Sequence, residues 1–174
     1  MTQALRWLTI RPGMNWLPLI ALGAAAFVAT NVDDSFLLLL FFGDRRFRAR
    51  HVFAGQALGM ALLVIISLGG ALLALAVPAR LVGLLGLLPI AFGLKELAER
   101  RVADDEESLP TPVVASDAPG WRRAAAVAGI TLANGSDNVG VYVPLFATRS
   151  PLETSLIVSV FAALLAVWLF AGYY

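Results

Sequence analysis

The chain has 174 residues, 59% of them hydrophobic and 14% charged, with a mean hydropathy of +0.80. Soluble domains run about 45–50% apolar with roughly 25% charged residues, so the departure is toward a membrane protein. A net charge of +1 supplies no basic field for nucleic acid. With no cysteine and one histidine, His51, a disulfide framework, a thiolate nucleophile and a histidine-cluster zinc site are excluded.

Crossing the bilayer core takes about 20 apolar residues in helical form. Residues 1–13 carry Arg6 and Arg11 ahead of an apolar stretch, as a signal peptide does. The apolar run nevertheless extends past Asp34 to Phe42, well beyond the length of a signal's apolar region. A first span over 14–42 is therefore expected, followed by a second over 52–77 and a third over 81–94. The third is short unless it continues through Lys95 and Leu97. Residues 96–123 form the one long polar stretch, with Asp104-Asp105-Glu106-Glu107, Pro110, Pro112, Pro119 and Gly120, and read as a solvated linker. A fourth span over 124–147 and a fifth over 152–174 complete an all-α polytopic membrane protein. The expected organisation is a first three-helix repeat (1–97), a cytoplasmic linker (98–123) and an incomplete second repeat (124–174).

Orientation follows from Lys and Arg near the span ends. Arg45, Arg46, Arg48, Arg50, Lys95, Arg100, Arg101, Arg122 and Arg123 fall on one side, against Arg6, Arg11, Arg80 and Arg149 on the other. That asymmetry places loops 43–51 and 95–123 in the cytoplasm and the N-terminus outside, in a multi-pass protein of the cell (inner) membrane. Trp7, Trp16, Trp121 and Trp168 read as interface anchors.

Two spans carry acids inside the apolar run. The first reads Thr30-Asn31-Val32-Asp33-Asp34-Ser35 and the fourth Leu132-Ala133-Asn134-Gly135-Ser136-Asp137-Asn138. Aligning Asn31 with Asn134 brings Asp34 onto Asp137, so Asn-x-x-Asp repeats. Each acid costs about 2.5 to 3.5 kcal/mol at a helix centre, against roughly 0.3 to 0.6 gained per Leu, Ile, Val or Phe. Acids held at that expense are by default functional and face a wet interior. The alternative is a structural acid paired with arginine, but no Arg or Lys lies within a span except near its ends. Asn134-Gly135 is poor helix sequence and Pro144 removes a backbone donor further on, so the fourth span should break near its middle. Broken helices at matching positions of two halves mark a midplane binding site. Three spans per half would make the halves inverted relative to each other, a transporter pattern. The chain ends inside the fifth span, so the sixth of an inverted 3+3 repeat is absent. A homodimer covering the gap, or a longer natural chain, is then expected.

The stretch Thr30 to Asp34, Phe53-Ala54-Gly55-Gln56 with Gly59, and Thr131 through Pro144 together resemble the CadD-type cadmium-resistance transporters, in a group of small exporters with LysE-type and MntP-type members. The resemblance covers most of the chain and is most specific in the fourth span. It implies export of a divalent cation, cadmium by the family name, in exchange for protons, with no resident cofactor and no enzymatic activity.

The chemistry of the residues fits a cation but does not choose one. Asp34 and Asp137 neutralise one divalent ion if they face each other across the bundle. Asp33 is a third ligand or a proton carrier. Asn31, Asn134 and Asn138 offer amide oxygens, and Thr30 and Ser136 hydroxyls, toward the six- to eight-oxygen shell that calcium takes. Hard donors suit manganese or calcium equally, and cadmium prefers softer ones. Gln56 either reaches the ion or bonds across helices; Gly55 and Gly59 beside it allow close helix packing. His51, among arginines at the cytoplasmic end, reads as interfacial. Three alternatives remain open at this point: export of manganese or calcium, export of a small amino compound, and an intramembrane aspartic protease whose two acids share a proton. An amino-acid exporter needs a cation for the carboxylate, and the spans hold none. Apart from the lipid bilayer, the transported ion and a second copy of the chain in a homodimer, no partner is implied.

Overall fold

The computed structural model describes residues 16–32, 34–74, 87, 90, 91, 94 and 118–174, with the side chain of residue 136 excepted. Six helices appear among them: α1 (Trp16–Asn31), α2 (Asp34–Gly43), α3 (Ala49–Ala74), α4 (Gly120–Asn134), α5 (Ser136–Ala147) and α6 (Pro151–Tyr173). The expected third span and most of the linker lie outside the described residues, as does Asp33. Of the third span, Leu87, Ile90, Ala91 and Leu94 are described, and they are helical and exposed.

By length and composition, α3 and α6 each suffice to cross a membrane. Neither α1 nor α2 does so alone. They pass only as a pair, bent by 62°, so the expected first span is two helices. Likewise α4 and α5, of 15 and 12 residues, are separated by Gly135 alone. That break falls where the sequence places it. Pro144 lies inside α5 without ending it. The proline costs one helical hydrogen bond there, while the chain is interrupted at the glycine.

Direction follows from which residues meet. A Cβ on Gly55 would lie 2.5 Å from Val127 Cβ, one on Gly59 2.7 Å from Thr131 Cβ, and one on Gly70 2.8 Å from Val143 Cγ2. Both numbers rise together, so α3 runs parallel to α4 and α5. The chain between Ala74 and Gly120 therefore returns from one end of α3 to the other. The pair α1–α2 likewise runs parallel to α6: Phe27 packs on Phe161 with centroids 5.9 Å apart, and Phe42 on Tyr173 at 5.6 Å. One end of the molecule thus gathers the α2–α3 turn and the start of α4, with Arg45, Arg46, Arg48, Arg50, Arg122 and Arg123. Arg149 lies at the other end.

The apolar interior forms in two clusters. Phe27, Tyr142, Phe146, Ile157 and Phe161 fill the first, and Leu38, Phe41, Phe47, Val52, Val127 and Leu169 the second. Tyr142 and Phe161 stack at 4.6 Å, close enough for the ring attraction worth about 0.5–1.5 kcal/mol. Trp16 and Trp121 are exposed, as anchors should be, whereas Trp168 turns inward to meet Phe27 edge-on at 6.3 Å. Two polar fastenings set the turns. Arg46 clamps Asp44 through Nε and Nη2, at 2.9 and 2.6 Å to Oδ2, and holds that carboxyl below its usual range. Ser150 and Glu153 form a reciprocal capping box at the start of α6, with Pro151 in the first turn.

The glycine contacts make a stability prediction with a definite sign. Alanine in place of a mid-helix glycine ordinarily stabilises by about 0.5–1 kcal/mol. Gly69→Ala should show that gain, because among the described residues nothing lies within 4 Å of its Cβ position. Gly59→Ala should instead cost about 1–3 kcal/mol by forcing α3 from α4. Thermal melting of the two variants in detergent separates them; equal shifts would mean that the close approach does not hold the helices together.

Candidate metal centre

Both helix breaks fall on the repeated Asn-x-x-Asp. Asn31 closes α1 and Asp34 opens α2; Asn134 closes α4, and Asp137 sits in the first turn of α5. Each acid thus occupies the N-terminal turn of a helix, where the free N–H groups and the macrodipole favour negative charge. Each Asn sits at a C-terminal turn, where the last carbonyls lack helical partners. Gly135 has φ −80° and ψ 25°, which any residue adopts. A Cβ there would lie against both Leu63 methyls, the farther at 2.7 Å, so Leu63 packs directly on the break and would have to turn aside for a side chain. Leu63 lies near the middle of the 26-residue α3, so the α4–α5 break sits at mid-depth.

The two breaks meet. Asn134 Nδ2 donates to Asp34 Oδ1 at 2.6 Å, and Asp34 is only 4% exposed. Asp137 is half-buried.

Around this contact are three polar groupings. In the first, Thr30 Oγ1 and the Tyr142 hydroxyl share a hydrogen bond at 2.9 Å, and Asn31 Nδ2 donates to the Tyr142 hydroxyl at 3.2 Å and to the Phe27 carbonyl at 2.8 Å. The donor side of the Asn31 amide is taken up, which leaves Oδ1 as the atom available to a cation. In the second, Thr131 donates its hydroxyl to Gln56 Oε1 across the α3–α4 contact, and also bonds the Val127 carbonyl at 3.0 Å. Of the two roles open to Gln56, the structure records the bond across helices. The third is Asn138, 0% exposed, with neither amide atom hydrogen-bonded among the described residues.

Among the described residues no three His, Cys, Asp or Glu side chains gather as a metal site. Among the described residues, a cation at the breaks would draw on the carboxylates of Asp34 and Asp137 and on neutral oxygens. His51 is buried at the arginine-rich end, against Gly120 and beside Arg48, Arg50 and Arg123, far along α3 from the breaks. It belongs to the end of the bundle, as expected. Sequence reasoning did not bring forward the hydroxyls of Tyr142 and Thr131. A buried Tyr seeks a partner for its hydroxyl, and Thr131 precedes Asn134 by one helical turn; those were the available signals.

Removing the Tyr142 hydroxyl tests the first grouping. Tyr142→Phe keeps the ring stacking, and Thr30 and Asn31 retain their carbonyl acceptors, so the loss should be about 1 kcal/mol. Thr30→Val should cost a similar amount alone and little more on top of Tyr142→Phe. Strict additivity in a double-mutant melting cycle would show that the bond carries no stability.

The family described as cadmium resistance transporter matches residues 27–173. No curated protein and no solved structure matches the chain. The match takes in both helix breaks, the glycine-lined face of α3 and the whole of α6, which is most of the sequence. The chain belongs to the cadmium resistance transporter family.

Proposed function

We propose that the chain exports a divalent heavy-metal cation, cadmium, in exchange for protons, and that the ion is held between the two helix breaks. The observation that carries this reading is the 2.6 Å contact of Asn134 with Asp34, which joins the breaks at mid-depth. Asp34 and Asp137 supply the charge, and Asp33 serves as a third ligand or as the proton carrier. Asn31, Asn134 and Asn138 supply amide oxygens, with hydroxyls from Thr30 and Ser136. Asn134 presents its N–H to Asp34 in this structure, so ligation requires its amide to turn and offer Oδ1. Gln56 acts as a support through Thr131.

The antiparallel course of α1–α2 against α4–α5, each broken at the same motif, supports an inverted repeat with alternating access. The arginines gathered around the α2–α3 turn and the start of α4 favour that end as cytoplasmic in the inner membrane, with the N-terminus outside. Membership of a transporter family, and an Asp34 carboxylate bonded to an amide, favour transport over an aspartic dyad.

Reconstituted vesicles given cadmium, manganese and calcium in turn, with and without a pH gradient, test the substrate and the coupling together. Asp34→Asn and Asp137→Asn each keep shape and an oxygen while removing one charge. Both should reduce cadmium export to background while the protein still inserts and melts at an equal or higher temperature, since buried acids without their ion are costly. Asn138→Ala should raise half-saturation roughly tenfold, the scale of one hydrogen bond to a charged group. Asp104→Asn, in the linker, should change nothing. Export retained in both Asp variants would remove the site from this place.

A further inference from the structure

Three polar atoms in the apolar body of the bundle have no hydrogen-bond partner among the described residues: Ser67 Oγ, Asn138 Oδ1 and Asn138 Nδ2. Both residues are 0% exposed. Leaving such groups unpaired is costly, and in a membrane interior bulk water cannot relieve the cost. Helix contacts place the two residues in one layer. Ser67 follows Leu63 by one turn, and Leu63 packs on Gly135; Ser67 precedes Gly70, whose Cβ position is 2.8 Å from Val143. Asn138 lies between Gly135 and Val143 on the helix that α3 faces. This layer is about one turn beyond the breaks, on the side away from the arginine-rich end.

The chemistry of the three atoms restricts what can satisfy them. A bare cation ligated by Asn138 Oδ1 leaves the Nδ2 hydrogens unpaired. Only a group that both donates and accepts serves all three atoms, and a buried water typically makes about three such bonds. We infer that Ser67 and Asn138 form a water-bearing station on the ion's exit route, where the departing cation takes up its first water ligands. This rests on the cation site proposed at the breaks; it adds Ser67, and it makes Asn138, the outermost amide of that site, the ligand at which the ion passes to water. At the breaks the ion is surrounded by protein oxygens. One turn further out, the hydroxyl and the amide hold water in place to replace them.

The chain has no cysteine, so a single introduced thiol reports without background. Ser67→Cys preserves size and a weak donor. A charged methanethiosulfonate is added to cells expressing the full chain: the ionised thiol, which requires water, attacks its sulfenyl sulfur, forming a mixed disulfide and expelling methanesulfinate. The Ser67→Cys variant should react at least tenfold faster than Ile65→Cys, whose side chain is 62% exposed on the outer face of the same helix. Adding Asn138→Leu should slow that reaction at least fivefold, and an unchanged rate overturns the shared layer. Ser67→Ala should lower the maximal rate of cadmium export several-fold with half-saturation unchanged, as expected of a step after binding. An export-competent Ser67→Cys variant that resists the reagent overturns the station. Rapid labelling together with full export by Asp34→Asn would instead keep the water-bearing layer and remove the cation site beneath it.

Discussion

Backbone groups inside a bilayer must find their hydrogen bonds within the protein, and the whole arrangement depends on how two interrupted helices meet that demand. A break in one helix leaves N–H groups on one side and carbonyls on the other without partners. Here two breaks lie against each other. Acids occupy the turns where N–H groups are free, and asparagines the turns where carbonyls are free. The contact of Asn134 with Asp34 is the visible join. Concentrating unsatisfied polarity at mid-depth is costly for a protein that only has to sit in a membrane, and useful for one that has to hold an ion there.

The join requires a rigid support, and α3 provides it. Gly55, Gly59 and Gly70 bring its backbone against Val127, Thr131 and Val143 over more than four turns. Leu63, in the gap of that series, fills the space opposite Gly135 and so fixes the depth of the α4–α5 break. The Gln56–Thr131 bond reinforces the same contact below the break. On the opposite side, Tyr142 ties α5 to the end of α1 through Thr30 and Asn31. The two breaks are thus held from both sides, on the α3 side by groups that need not touch an ion. Changes in Gly59 or Tyr142 act on the site by moving helices, whereas changes in Asp34 act on its charge.

What the sequence makes legible is uneven, for physical reasons. Asn134-Gly135 announces a break because two poor helix formers are adjacent in an apolar run. The α1–α2 break is hidden, because Asn31-Val32-Asp33-Asp34 lies in an otherwise continuous apolar stretch and contains neither glycine nor proline. Gly55 and Gly59 announce a close approach, but a single helix does not name its partner. For the same reason Gln56 reads equally well as ligand or as cross-link until Thr131 is seen opposite. The repeat aligns Asp34 with Asp137, while the contact formed is between Asp34 and Asn134. Antiparallel elements bring the start of one motif to the end of the other, and an alignment along the chain does not display that crossing. Ser67 has no signal at all in the sequence: one hydroxyl in an apolar helix is common, and only its missing partner sets it apart.

Donor chemistry bears on how such a site works with cadmium. The soft thiolates that bind this metal most tightly are absent, since the chain has no cysteine. Carboxylate and amide oxygens hold the ion less strongly and select it less sharply. For a storage protein that would be a weakness. A translocation site has to bind well enough to load and loosely enough to release. Thiolate ligands would trap cadmium, whereas two carboxylates can load it by charge and surrender it when a proton takes over a carboxylate. On the proposed reading, selectivity then comes from the size of the oxygen cage and from what the cytoplasm offers, and release is eased by hard donors that exchange readily for water.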